Sequence, residues 1–276
     1  MSSRTVRPRG GPGGRFGAAV AVAVAICAAG ATGSFASDAP HSGGILGIAK
    51  LTGEGDELSW RGQVFARGER PVRPGLDFYL EGGITTNVGT DSGKFFEFKP
   101  NQATYDVEVG LTRALGDKSL DILLGHMSRH DIDDSYDGKT EAWNTFGFRL
   151  RRGVYGPWLY SCANGGPRWQ WSVSAAKYVQ TSALDYEWDL RAEASRKFKL
   201  GPVNLQGSIG ARLVTTDAER SDGHDWFLDK WGELGFRSRN PEDKYVVYLR
   251  WEQQHDLDRN DGLTADTFGV GVKFFW

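Results

Sequence analysis

The sequence predicts an all-β fold, an antiparallel transmembrane β-barrel of about ten strands. After residue 71 the chain alternates apolar and polar residues at period two, and no stretch has a convincing helical period. The apolar positions carry many of the 15 Phe, 10 Trp and 9 Tyr residues, whereas the polar positions carry Gly, Arg, Glu and Asp. A soluble barrel or sandwich packs large apolar residues inward. The glycine-rich, charged second face therefore favours a polar interior with lipid outside.

The first 36 residues predict a cleaved signal peptide. Several arginines lie near the N-terminus, and the last of them is Arg15. An uncharged run follows from Phe16 to Ala31, and small residues surround a predicted cleavage site after Ala36. The uncharged run is too short to span a bilayer. We therefore expect export, which leaves Cys162 without an intramolecular disulfide partner. Export and the barrel pattern together predict a location in the cell outer membrane.

Residues 37–70 are rich in glycine and charge and alternate only weakly. We interpret them as an exported N-terminal arm or as a first hairpin. If the region Gly44–Arg67 forms that hairpin, the strand count rises to twelve.

Residues 71–276 form the predicted barrel. Its ten segments are Leu76–Val88, Gln102–Leu115, Lys118–His130, Lys139–Arg152, Arg168–Thr181, Asp185–Lys199, Pro202–Asp217, Trp226–Arg239, Lys244–Asp256 and Leu263–Trp276. Each is long enough, since a tilted strand crosses a bilayer in about 9–11 residues. The last segment also ends the chain on an aromatic residue, which resembles the terminal signature of outer-membrane barrels.

The connections alternate in length. Those at Gly116–Asp117 and Gly201 are short, and those around residues 131–138 and 218–225 are longer. Short periplasmic turns and longer external loops have this pattern. The link from Gly153 to Pro167 is long where a short turn is expected. Either it caps the periplasmic end, or the strand count differs there.

Charged residues on the polar face predict a salt-bridged network inside the barrel. They are Arg149, Arg151, Arg191, Glu193, Arg212, Arg237, Arg250 and Glu252. A channel lined by these residues is the alternative, but ten strands leave little lumen once long side chains fill it.

A candidate site lies on the segment Lys118–His130, which runs outward in the predicted topology. His126 and Ser128 share the pleat face of Leu124, and the next segment places Asn144 on the same outer face. A serine needs a base to become a nucleophile, and a histidine needs a partner that fixes its tautomer. Residues i and i+2 of a strand have Cβ atoms about 6.5–7 Å apart, so an imidazole can reach the hydroxyl.

This pattern resembles outer-membrane phospholipase A. The resemblance rests on the His126-x-Ser128 step, the polar loop after it, and a strand that starts Trp143-Asn144. It implies that His126 is the base, Ser128 the nucleophile and Asn144 the residue that orients the base. It also implies an esterase acting on acyl esters of membrane lipid. Arg129 stands where this family is expected to have an asparagine.

Lipid A deacylases offer a related resemblance, because they also use a His-x-Ser pair, with a glutamate on the next strand. Glu141 is the nearest counterpart, and its phase points inward. The substrate class implied by the two families is a phospholipid or a lipopolysaccharide, and a homodimer is left open. The net charge of −2 gives no support for binding nucleic acid.

A non-enzymatic barrel that is structural, adhesive or a narrow channel is the alternative function. In that interpretation the strand leaves the hydrocarbon by Gly125, and residues 126–130 belong to a wet external rim. Polar residues at that height cost about 0–1 kcal/mol, against roughly 2–4 kcal/mol for Arg or Lys at the midplane.

An acidic loop follows the His-x-Ser step. Its carboxylates at Asp131, Asp133, Asp134 and Asp137 predict a Ca²⁺ site, since Ca²⁺ takes six to eight oxygen ligands. The alternative is a set of solvated loop acids.

Overall fold

The structure is a computed structural model that describes residues 42–53, 60–89, 99–131, 140–160, 167–181, 186–217, 225–238, 240, 244–255 and 264–276. Its strands are β1 Ser42–Gly53, β2 Trp60–Arg73, β3 Leu76–Gly89, β4 Lys99–Leu115, β5 Lys118–Asp131, β6 Thr140–Arg152, β7 Trp169–Thr181, β8 Tyr186–Leu200, β9 Val203–Thr216, β10 Trp226–Ser238, β11 Tyr245–His255 and β12 Thr264–Phe275. Within these residues, no helix has the length and hydropathy needed to cross a membrane.

The strands form one closed antiparallel barrel in chain order. Closure comes from β1 and β12, which pair with Ile45 opposite Phe275. The fold class is therefore confirmed, and the number of strands is twelve, the larger of the two counts that the sequence left open. The additional hairpin, β1 and β2, comes from the weakly alternating region. Its pattern is weak because the interior side of β1 is itself apolar, with Ile45, Ala49 and Leu51 buried.

The barrel wall is apolar outside and polar inside. On β12, Phe268 and Val270 are 56% and 57% exposed, whereas Lys273 is 4% exposed. Large hydrophobic residues are exposed on the outer side of many other strands as well. A continuous exposed apolar surface of this kind is the lipid-facing surface of a transmembrane barrel.

The two ends of the barrel differ. At one end, which we call the turn end, β4 joins β5 through Gly116 and β8 joins β9 through Gly201. Both glycines have positive φ, 64° and 53°, a conformation that costs other residues energy in such tight turns. The opposite end, the loop end, carries the connections after β5 and β9 that are long in the sequence.

The interior contains the predicted network of ion pairs. Arg149 donates two hydrogen bonds to Glu108, at 2.8 and 2.7 Å. Arg212 donates to Asp189 at 3.1 Å, and Arg250 donates to Glu252 at 2.7 Å. Charges taken out of water need such partners, so the network lets a lipid-surrounded barrel keep a polar inside.

The link after β6 folds into the turn end. Its 3₁₀ helix, Gly156–Tyr160, follows Tyr155, whose hydroxyl lies 2.5 Å from Arg67 Nη1. Trp158 packs in a buried cluster with Ile45 and Phe275 from the closing strands. Residues 153–160 therefore cap the turn end, which is the first of the two interpretations of this long link.

Candidate active site on the outer face of β5 and β6

His126 and Asn144 are directly opposite each other in the pairing of β5 with β6. Both lie on the outer face. On the same face, one step nearer the turn end, Leu124 lies opposite Phe146. Leu124 and Phe146 are 55% and 41% exposed, so two polar side chains stand at the edge of an apolar surface. The alternation of these two strands produces this arrangement, because residues two apart share a face.

The His126 ring is hydrogen-bonded to Asn144, with Nδ1 2.8 Å from Oδ1. A carbonyl oxygen can only accept, so Nδ1 carries the proton and donates. The neutral ring then has its lone pair on Nε2, which is the form that can accept a proton from a hydroxyl. Because its side chain is neutral, Asn144 fixes this tautomer without adding a charge to the outer surface.

Ser128 lies one step nearer the loop end, on the same face of β5. Its Oγ is 3.3 Å from Nε2 of His130, which is two residues further along. The ring of His130 stands edge-on to Tyr105 of β4, with centroids 5.4 Å apart. The sequence predicted that Ser128 contacts His126, whereas in the structure its hydroxyl contacts His130. Ser128 is thus flanked by an imidazole on each side.

Gln180 of β7 is a third polar residue that contacts this site, and sequence reasoning missed it. Asn144 Nδ2 donates a hydrogen bond to Gln180 Oε1 at 3.0 Å. Strict alternation along β7 puts residue 180 on the side of the buried Tyr178. A register shift between Asn144 and Thr145, which pair with Gln180 and Tyr178, turns it outward instead. Period two alone carries no signal for such a shift.

The height of the site follows from strand geometry. A strand tilted by about 40° rises roughly 2.5 Å per residue along the barrel axis. From Lys118, the first residue of β5, to Ser128 the rise is then about 25 Å, which equals the height of the apolar band of such barrels. With Lys118 taken as the lower edge of that band, Ser128 comes at its upper edge and His126 just inside it.

Among the other predicted site residues, Glu141 does not join this cluster. Glu141 is 8% exposed and belongs to the interior face of β6, as its phase predicts. Asp131 ends β5, and its side chain, together with Asp133, Asp134 and Asp137, lies outside the described residues. Over the part of the chain that the structure describes, no group of three or more His, Cys, Asp or Glu side chains could hold a metal ion.

Comparison with known proteins identifies the fold. No protein-family model and no curated protein matches the sequence. The outer membrane phospholipase A of Escherichia coli matches with a TM-score of 0.53 at 11% identity, over 85% of this chain and 97% of that one. The calcium-bound dimer of the Salmonella typhi outer membrane phospholipase matches with a TM-score of 0.52 at 11% identity, over 90% and 96%.

A weaker match, LpxR from Salmonella typhimurium, has a TM-score of 0.47 at 7% identity, over 86% of this chain and 100% of that one. Porins are also among the matching structures. What the chain shares with the two phospholipase structures is the fold of an outer-membrane barrel.

Proposed function

We propose that this protein is an outer-membrane serine esterase that hydrolyses acyl esters of membrane lipid. The observation that carries the proposal is the hydrogen bond from His126 Nδ1 to Asn144 on the outer surface, next to Ser128. A pair that fixes the basic tautomer of a histidine beside a serine is the arrangement that nucleophilic catalysis requires.

The location of the cluster suits a lipid substrate. The upper edge of the apolar band is the depth at which lipid acyl chains meet their polar headgroups. A lipid lying against Leu124 and Phe146 would present its ester bonds to Ser128 without leaving the bilayer. The alternative of a wet rim would instead need His126 well above the band.

The reaction begins when Ser128 Oγ attacks the ester carbonyl carbon while its proton passes to Nε2 of His126. Rotation of the Ser128 side chain between staggered positions moves the hydroxyl from His130 towards His126. The Asn144 carbonyl stabilises the imidazolium through Nδ1–H. His126 then protonates the leaving alcohol, and the acyl group stays on Ser128.

Hydrolysis of the acyl group repeats these steps with water. His126 takes a proton from the water as its oxygen attacks the acyl carbon, and returns that proton to Ser128 Oγ as the fatty acid leaves. If the acidic loop binds Ca²⁺, the ion would neutralise a headgroup phosphate and polarise the ester carbonyl.

One solved structure of the Escherichia coli phospholipase is of a variant in which an active-site asparagine is replaced by alanine, which parallels the role proposed for Asn144.

The channel alternative is less well supported, because Tyr155 and Trp158 lie in the turn end of the lumen.

The test compares variants of the refolded protein in phospholipid vesicles, with release of fatty acid as the readout. Ser128→Ala and His126→Ala should lose nearly all turnover, and a fluorophosphonate probe should label the wild type but not Ser128→Ala. Ser238→Ala, a serine on the outer face near the turn end, is the matched control and should keep wild-type rates. Equal rates for wild type and both site variants would overturn the proposal.

A further inference from the structure

We propose that Gln180 is a positioning residue of this site: its side-chain carbonyl holds the Asn144 amide in the orientation that keeps His126 in its basic tautomer. The inference rests on the proposed function, because it assigns a role in the same reaction.

The Asn144 amide is held at both ends. Its Oδ1 accepts from His126 Nδ1 at 2.8 Å, and its Nδ2 donates to Gln180 Oε1 at 3.0 Å. Three neighbouring strands, β5, β6 and β7, each contribute one residue to this chain of hydrogen bonds. All three side chains lie on the outer face, where solvent and lipid offer few fixed partners.

The orientation of that amide decides the chemistry. If the amide turned over, its Nδ2–H would point at Nδ1 of His126 and stabilise the tautomer with the proton on Nε2. That tautomer cannot accept the proton of Ser128. The Gln180 carbonyl disfavours the turned amide, because two carbonyl oxygens would then face each other. Gln180 therefore acts through Asn144 and not on the substrate.

A β-bulge places Gln180 where it can do this. Tyr178 pairs with Thr145 and Gln180 pairs with Asn144, so Val179 is one extra residue in β7. Val179 is 63% exposed, whereas Tyr178 is buried on the interior side. Without the extra residue the alternation would turn residue 180 inward. Bulges interrupt the ladder, and they occur next to active sites where they redirect a side chain.

Several charged and titratable groups surround His126 on the outer face. The outer face near this ring carries Tyr105 on β4, His130 on β5, and the ion pair of Lys177 with Glu187 at 2.8 Å on β7 and β8. Changes at residue 180 leave all of these groups in place. A shift in the pH profile can then be assigned to the new side chain.

Two substitutions test the role of the carbonyl. Gln180→Leu has a similar size but cannot accept, and we expect kcat to fall roughly five- to ten-fold with KM unchanged, as for loss of one hydrogen bond. Gln180→Glu still accepts from Asn144, so it should retain most activity. The acidic limb of the pH–activity profile of this variant should move to higher pH, because a carboxylate stabilises the protonated imidazole. Wild-type kcat in Gln180→Leu would overturn the inference.

A pair of deletions provides a matched comparison at equal chain length. Deleting Val179 removes the bulge and leaves Gln180 opposite Asn144, so activity should persist. Deleting Gln180 leaves Val179 opposite Asn144, so activity should fall as in Gln180→Leu. Equal activities in the two deletion variants would contradict the proposed role. Folding is checked for each variant by the altered gel mobility of the unheated barrel.

A direct measurement separates this inference from the proposed function. In protein labelled with ¹⁵N-histidine, the ring nitrogens of His126 should report Nδ1–H in the wild type and a shift towards Nε2–H in Gln180→Leu. An unchanged tautomer would overturn the positioning role even if Ser128→Ala is inactive. Conversely, full activity of Ser128→Ala would overturn the proposed function, whatever the tautomer.

Discussion

The guanidinium of Arg149 lies 4.0 Å from the ring centre of Tyr155 and also donates two hydrogen bonds to Glu108. One side chain of the barrel wall therefore binds the segment that caps the turn end. The Tyr155 hydroxyl adds contacts to Arg67 and Glu81. Burial and the nearby Glu81 carboxylate raise the pKa of Tyr155 above its ordinary value.

Removing this ring should open the lumen. We expect Tyr155→Ala to raise the ion conductance of the barrel in planar bilayers several-fold over wild type. Tyr155→Phe keeps the ring over Arg149 and should conduct like the wild type. A Tyr155→Ala protein with wild-type conductance would show that other residues close the lumen.

Interior and surface ion pairs should differ sharply in their effect on stability. The Asp121 side chain is 0% exposed and accepts from Arg151 at 3.0 Å. Asp121→Ala leaves that arginine without this partner and should lower the free energy of unfolding by about 3–5 kcal/mol.

Asp117 provides the control for this prediction. It is 63% exposed and lies 3.0 Å from Arg152. Because exposed pairs contribute little, Asp117→Ala should cost about 0–1 kcal/mol. Urea unfolding in lipid vesicles, followed by tryptophan fluorescence, measures both variants. Similar losses would mean that the interior pair is well hydrated.

Asn144 should affect turnover more than substrate binding. Asn144→Ala removes the acceptor for His126 Nδ1, and we expect kcat to fall roughly 10- to 100-fold, or about 1.4–2.7 kcal/mol of transition-state stabilisation. Initial rates over a range of lipid concentrations separate kcat from KM. A change confined to KM would assign Asn144 to binding instead.

His130 distinguishes the two candidate bases. His130→Phe keeps a ring beside Tyr105 but removes the nitrogen that contacts Ser128. If His126 is the base, activity should stay within about three-fold of wild type, since one neutral hydrogen bond is lost. A loss as large as that in His126→Phe would make His130 the base.

Calcium dependence tests the acidic loop. If Asp133 and Asp137 ligate Ca²⁺, a chelator should abolish most esterase activity, and Ca²⁺ should restore it better than Mg²⁺, which prefers a smaller octahedral site. Asp133→Asn with Asp137→Asn should raise the Ca²⁺ concentration needed for half-maximal activity. Full activity in the chelator would remove the ion from the proposal.

The sequence predicted much of this molecule because its main signal is local. Period-two alternation located β3 to β12 and turned His126 and Asn144 outward, and the paired register then placed the two opposite each other. The alternation was only a weak signal for β1, because both faces of that strand are apolar. It also missed Gln180, because one inserted residue, Val179, reverses the phase of everything after it.

The pairing of Ile45 with Phe275 has a consequence for biogenesis. The two strands that close the barrel are the first and the last of the described strands, so their pairing cannot form until both have been synthesised. Until then β1 and β12 present unpaired backbone groups that can template aggregation, and contacts between such distant residues form slowly. A truncation at either end would leave a permanently open edge, so complete synthesis and protection in transit are conditions for assembly.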